Sequence, residues 1–532
     1  MTRRTRGRAP GALALGLVAA IASEAHASGL FVTERGVRGL GRGGAFVAGA
    51  DDAGAITYNP AGLFDAGDQF LIDASLIVFG SEYTRQALLR QIDPNTGETV
   101  ATYEQTFPTV EGSASLLPIP TIAGTFAVHP DWRLGIGAYA PNAVLSAYPE
   151  EVDGQPAASR YQLLSLEGSA LVVLGGYVAW RPIEQLRFGA GFEVMVGSFK
   201  SSHYLSGCVP DRFFCAPEDP QWDLVAQDNA APIVSPSGIV GGTWEFYDGW
   251  RLGASFHLPY WVNAPSTLKT RLPSAPVYRN AEIIGEDATV KFQLPWELRL
   301  GLEMRDVTPG LRVELAGHYE HWAVHDKITI EPDGIAVTNV PGFPPEYYLP
   351  AIDIPRNFQS SISGMVGAEY EIKASDTIRV TPRLGFSYAS SAVPSEYISV
   401  LTLDSGKATP SGGLSVSVGR ARFDVVYAHQ FIQQVEVAPE QARLPQVVPL
   451  AANEAENPNY INGGIYNWHI DVVGVGFAYT FDPPAPQAAE PAKPPEPAKP
   501  KPEGEGEAKD AEAKEDGDDS KAKPAKDEGE EE

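Results

Sequence analysis

Three neighbouring histidines, His318, His321 and His325, are the first residues in this chain that could do chemistry, since imidazole is both a metal ligand and a general base. Their segment reads as a strand, where odd and even positions point to opposite faces, so the three rings do not converge on one ion. His429 with Ser415 or Ser417 has the residue types of a base and its nucleophile, but no motif surrounds them and the chain does not read as an enzyme. Cys208 and Cys215, separated by VPDRFF, are too few for a metal site with only His203 nearby, and in an exported chain they read as a local loop disulfide. No cofactor and no metal is expected.

The elements that carry these residues repeat with period two between positions 68 and 481, the spacing of strands whose faces meet different surroundings. From Val290 to Arg305, apolar residues (Val290, Phe292, Leu294, Trp296, Leu298, Leu300, Leu302, Met304) alternate with Lys291, Gln293, Glu297, Arg299, Glu303 and Arg305. A strand of a soluble sandwich usually runs about five or six residues, and this pattern is far longer. The segments starting at Leu186 and His469 alternate likewise, with glycines on the smaller face. Short turns fall near Pro130–Asp131, 182–185, 247–249, 306–310, 373–376 and Gly419–Arg420. Longer polar segments run about 83–112, 147–160, 204–233, 271–285, 329–355, 391–410 and 437–464. Strict alternation of short and long connections predicts fourteen antiparallel strands of an all-β transmembrane barrel, closed because hydrocarbon tolerates no unpaired sheet edge. The lumen of such a barrel is wide enough to need a filler.

Residues 1–27 carry Arg3, Arg4, Arg6 and Arg8, an apolar run and Ala25-His26-Ala27, the pattern of a cleaved secretion signal. No later stretch is apolar over the roughly 18 residues that a membrane helix needs. The net charge of −27 argues against a nucleic-acid partner. Residues 482–532 hold no Leu, Ile, Val, Met or aromatic residue and read as a disordered Pro-, Lys- and Glu-rich tail, either an extension for a periplasmic partner or one with no partner.

Residues 28–67 are too short and too glycine-rich to make a core of their own. Asp51-Asp52 before AGAI and Asn59-Pro60 before AGLF have the form of helix N-caps. This stretch, GRGGAFVAGADDAG followed by TYNPAGLF, resembles the N-terminal hatch of the FadL/TodX-type outer-membrane transporters of fatty acids and other hydrophobic molecules. YAPNA, QLPWELRLGLE, HYEHWAVHDKI, GAEY, PSEY and VVYAHQF follow in the order of that family's strands. The resemblance implies a hatch formed by 28–67 that gates a 68–481 barrel through Asp51, Asp52, Asn59 and Pro60, and a lateral exit at a third-strand kink at Pro141 and Asn142. The glycine that usually follows this proline in the family is missing here. It also implies an outer-membrane location in a Gram-negative bacterium with both termini periplasmic. The surroundings would be lipid and lipopolysaccharide, the barrel-assembly machinery would insert the chain, and a fatty acid or another hydrophobic small molecule would be the ligand.

Against this passive-uptake reading stand a non-specific porin-like or structural barrel and a channel for aromatic hydrocarbons rather than fatty acids. For an acidic ligand, Arg160, Lys291, Arg299 and Arg312 are the candidate headgroup cations by alternation. Glu193, Glu297, Glu303 and Glu314 share their faces, so a self-paired network that stiffens the wall is the competing reading of the same residues.

Overall fold

In the computed structural model, the described residues are 34–92, 99–116, 118–140, 146–209, 212–213, 215–216, 218–451 and 458–481. The signal segment 1–27, Pro141, Asn142 and the tail 482–532 lie outside them.

Fourteen antiparallel strands form the barrel. In chain order they are β1 (Gln69–Ile92), β2 (Thr99–Thr106, Val110–Ala114 and Pro118–His129), β3 (Trp132–Tyr139), β4 (Ala170–Ile183), β5 (Leu186–Ser206), β6 (Asp223–Tyr247) and β7 (Trp250–His257 and Trp261–Arg271). There follow β8 (Asp287–Gln293 and Glu297–Met304), β9 (Leu311–Glu320 and Lys327–Pro332), β10 (Ile352–Pro355 and Ser361–Tyr370), β11 (Ile378–Ala389), β12 (Lys407–Val418), β13 (Ala421–Ile432 and Val435–Val437) and β14 (Gly464–Thr480). Each pairs with the next, and β14 returns to β1 in one register from Gln69↔Thr480 to Arg85↔Gly464. The sheet therefore has no free edge, as hydrocarbon requires.

All six short turns fall where the sequence places them, and they define one end of the barrel, the turn end. The long connections define the loop end, where β1, β5 and β6 run well past the membrane and occupy much of what reads as loop in the sequence.

Side chains alternate as expected for lipid outside and a lumen inside. On β5, Phe188 and Phe192 are exposed while Arg187, Glu193 and Met195 are buried. On β14, Val473 and Val475 face out while Val472 and Ala478 face in. Two outward aromatic girdles bound the apolar band. Trp132 stacks on Trp180 at 5.5 Å near the turn end, and Trp296 meets Phe256 at 5.5 Å and Tyr319 at 5.2 Å near the loop end. From Trp250 to Trp261 on β7 is about eleven residues, matching the ~9–11 tilted residues that cross hydrocarbon.

The expected unbroken alternation from Val290 to Arg305 is corrected. At the level of the loop-end girdle the ladder breaks on adjacent strands: at 258–260 in β7, 294–296 in β8, 321–326 in β9 and 356–360 in β10. Pro259 and Pro295 sit in two of these breaks, where a residue without an N–H cannot serve the ladder. Lone bridges hold the strands together across the line: Leu294 N–H donates to Tyr260 O at 2.9 Å, and His321 N–H to Trp296 O at 2.9 Å.

Each break on β7, β8 and β10 exchanges the two faces. On β7 the inward residues are Arg251 and Ser255 on the turn side and Val262, Ala264 and Leu268 on the loop side. On β8 they are Arg299 and Glu303, then Val290 and Ala288. The inner surface thus changes from charged to apolar at one level. The loop-end interior is lined by Tyr83, Leu163, Leu205, Val262, Val290 and Ile330, part of a hydrophobic cluster that continues to Phe46, Ile56 and Leu63 near the turn side.

Candidate functional site

Residues 34–67 lie within the turn-side half of the barrel, against its inner wall. They form the helix α1 (Val37–Gly41), two short 3-10 turns (Ala53–Thr57 and Pro60–Gly62) and the helix α2 (Leu63–Ala66). Asp52 accepts from Gly54 N–H and Asn59 from Ala61 N–H, so each opens its turn with a side-chain cap. Asn59 Nδ2 also donates to Val47 O at 3.0 Å and to Gly242 O of β6 at 3.1 Å. α1 has no side-chain cap of its own; Val37 N–H donates instead to Asp73 of β1 at 2.8 Å.

The wall makes room by carrying glycine at inward positions. A Cβ at Gly189 would collide with Pro60 and Ala61, at Gly241 with Asn59, at Gly253 with Ala48 and at Gly385 with Arg42 and Gly43. Gly189 shows one reason for the small-residue face of β5, and on β14 a Cβ at Gly474 would press on Val37 of the same segment.

Ion pairs then fix the segment. Arg42, fully buried, reaches Glu314 at 2.9 Å, Glu303 at 3.3 Å and Glu369 at 3.5 Å. The Glu314 carboxylate accepts three consecutive backbone N–H groups, from Val47, Ala48 and Gly49, at 2.7, 2.8 and 3.0 Å. Arg38 holds Glu369 at 2.7 Å and also binds Asp51. Arg312 bridges Asp51 at 2.7 Å and Glu303 at 2.7 Å, and Arg422 joins Asp52 at 2.7 Å to Asp424 at 2.8 Å. Buried pairs of this kind contribute position more than net stability, but removing one partner costs about 3–5 kcal/mol because the other is left charged and dry.

Over the segment, where the interior changes character, lies a polar collar. Glu193 accepts from Tyr177, Tyr260 and Tyr139 at 2.7, 3.0 and 3.2 Å and meets His257 at 2.6 Å. Arg299 lies 3.1 Å from Glu297 and over the ring of Tyr58 at 5.3 Å. His318 faces the lumen and meets Glu297 at 3.1 Å. With Glu320 they make a trio with metal-ligand spacing, within which Arg299 is already paired to Glu297.

The candidate headgroup cations do not come together. Arg312 is an anchor of the N-terminal segment and Arg299 belongs to the collar. Arg160 sits at the loop end on Asp223 at 2.9 Å and Glu218 O at 3.0 Å. Lys291 is corrected: the face exchange in β8 turns it outward, where it pairs with Glu331 on the half-exposed outer surface. Pro141 and Asn142 lie outside the described residues. Cys208 and Cys215 are joined by a disulfide, with Cα atoms 5.7 Å apart. His429 pairs with Asp471 at 2.8 Å while the hydroxyl of Ser415 is held by Asp424, so they form no dyad.

Arg42 and Glu369 were not singled out from the sequence, and Glu314 was read only as a member of a self-paired wall network. Arg42 stands in GRGG and Glu369 in GAEY, segments that locate positions without revealing partners that lie hundreds of residues away.

The family model described as outer membrane protein transport protein (OMPP1/FadL/TodX) matches residues 18–468. The chain belongs to this family. A FadL homologue of Pseudomonas aeruginosa has a similar structure at 15% sequence identity and a TM-score of 0.63, covering 86% of this chain and 100% of its own. The P. putida toluene transporter TodX aligns at 16% identity and a TM-score of 0.56, over 85% of this chain and 99% of its own. The CymD monoaromatic hydrocarbon channel aligns at 16% and 0.53, with the same coverage. No curated protein matches the sequence. As a member of this family the chain is a bacterial outer-membrane channel for hydrophobic compounds and not an enzyme.

Proposed function

We propose that the chain takes up long-chain fatty acids or other hydrophobic compounds passively, capturing them at the loop end. Residues 28–67 then act as the hatch, and ligand leaves sideways through the wall near Pro141 and Asn142. In this reading the turn end and both termini are periplasmic. The observation that carries it is the change of the wall's inward positions on β7 and β8, from Val262, Ala288 and Val290 on the loop side to Arg251, Arg299 and Glu303 on the turn side, beside a segment locked by charge. An apolar molecule is favoured down to that level and stopped there.

The sideways exit draws support from the type of residue 141: a proline has no N–H to give to a ladder, and a wall can part where such a bond cannot be made.

Deletion of residues 28–67 tests the reading in cells that depend on this protein for uptake. Loss of regulated uptake of a labelled fatty acid is expected, and unchanged uptake would overturn the hatch role. Liposomes carrying the intact protein are expected to swell little in sugar solutions. Swelling like that of an open porin would favour the polar-solute alternative. Toluene uptake measured beside fatty-acid uptake separates the aromatic-hydrocarbon reading from the fatty-acid one.

A further inference from the structure

Glu303 of β8 and Glu314 of β9 face each other directly across the ladder, and Arg42 lies between them, 3.3 Å from one and 2.9 Å from the other. At the collar end of the same ladder the arrangement recurs without its cation. Glu297 and Glu320 are directly opposed partners on the inner face, where like charges repel. Arg299 reaches Glu297 alone, at 3.1 Å, and His318 is the one basic group at salt-bridge distance from Glu320 among the described residues.

The polar atoms around this pair are incompletely used. The His318 side chain is only 1% exposed. Its Nε2 meets Glu297 at 3.1 Å, while its buried Nδ1 has no hydrogen-bond partner among the described residues. Nδ1 lies 4.0 Å from Oε2 of Glu320. An imidazolium bridging the two carboxylates would close that gap to about 3 Å, whereas two zinc–ligand bonds of about 2.0–2.2 Å each span it as it stands. Ser363, opposite His318 on β10, likewise has a buried hydroxyl with no partner among the described residues. Glu320 is aimed by two donors, Ser361 Oγ at 3.2 Å and Trp322 Nε1 at 3.4 Å, the outer support that a metal-binding carboxylate commonly has. Arg299 and His318 both contact Oε2 of Glu297, which leaves its Oε1 for another partner. One ligand atom from each of Glu297, His318 and Glu320 lies within 4.8 Å of the others, and the Glu297 side chain, 22% exposed, gives the trio an approach from solvent. An imidazole with two carboxylates is a donor set that suits zinc.

We propose that Glu297, His318 and Glu320 bind a divalent transition-metal ion of the zinc class, through His318 Nδ1 and one carboxylate oxygen of each glutamate, with water completing the shell. The ion supplies the cation that the facing glutamates lack. It also ties β8 to β9 at their last rung before the break, since the ladder resumes only at Lys291↔Thr329. The clip holds whatever compound the channel carries.

The test titrates zinc chloride into the full-length protein in nanodiscs, free of any histidine tag and stripped with EDTA, in competition with a chromophoric chelator. One zinc per chain is expected at this site, with a melting temperature that rises with free zinc. His318→Ala and Glu320→Gln each weaken the binding by at least about tenfold, the loss that even an outer partner of a metal can cause, and their melting temperatures no longer follow zinc. His429→Ala, which removes an imidazole paired to Asp471 away from the collar, leaves both readouts unchanged. If a variant fails to fold, X-ray absorption of the zinc-loaded parent decides, with one imidazole and oxygen ligands expected around the ion. A parent that takes up no stoichiometric zinc, a shell without imidazole, or an affinity that His318→Ala or Glu320→Gln leaves unchanged, as for zinc held by the acidic tail, overturns the site.

Discussion

The two halves of the barrel interior solve opposite problems with the same wall. On the turn side the inward positions are glycine, Arg and Glu, and each buried guanidinium is matched by carboxylates from the N-terminal segment or a neighbouring strand. On the loop side the inward positions are Val, Leu, Ile, Tyr and Phe. The first arrangement fixes a piece of the protein itself; the second presents an apolar interior. The boundary between them is where the ladders of β7 to β10 break and those of β7, β8 and β10 exchange faces. A one-residue slip in parity is therefore what separates the polar half from the apolar one.

The largest expected effect comes from the charged half. Arg42→Met leaves Glu314 without its buried cation, while Glu303 keeps Arg312, so the N-terminal segment should lose about 3–5 kcal/mol of its attachment. Limited proteolysis would show cleavage within residues 34–67 that the parent protein resists; equal resistance would mean that the charges do not hold the segment. Gly385→Val attacks the same half sterically. Its side chain must occupy the space of Arg42 and Gly43, and overpacking of this kind costs about 1–3 kcal/mol, read as a lower melting temperature with the strands intact by circular dichroism.

A smaller effect is expected from Asp404, in the connection between β11 and β12 at the loop end. Burial raises its carboxyl to about 7 despite Lys407 at 3.2 Å. A folded-state pKa above the unfolded value means that the stabilisation is complete below about pH 4 and is lost as the pH rises toward about 7. The melting temperature of the parent minus that of Asp404→Asn should fall across this window and flatten above it; a flat difference throughout would refute the buried-acid account. Lys291→Ala, on the outer surface, should change stability by no more than about 0.5 kcal/mol and leave ligand binding untouched. A tenfold loss of oleate affinity in that variant would mean that the outward placement of β8 residue 291 is wrong.

The sequence carried the barrel well because its information is local. Alternation tells lipid from lumen, as at Phe188 and Arg187, and the short turns mark strand ends. The caps of Asp52 and Asn59 are legible for the same reason, each acceptor serving an N–H two residues away. The breaks were illegible although Pro259 and Pro295 were in view, because a proline does not say whether the ladder resumes in the same parity. For Lys291 this exchanged the lumen for the outer surface. The site partners were out of reach for a further reason: Arg42 and Glu314 are separated by 272 positions, and nothing in either neighbourhood names the other. Glu297 and Glu320 are the extreme case, since what singles them out is the lack of a cation between them, a property that only the folded surroundings define.

The glycines of the turn-side wall also bear on how the barrel is made. Strands bare of side chains on one face have little to hold one another's curvature until something occupies the bore, and residues 34–67 precede β1 directly in the chain. They can therefore serve as a mandrel around which the sheet is wound. Assembly yield, read as the heat-modifiable band on a gel, should then fall when the wall glycines are enlarged even in variants whose ion pairs are all kept.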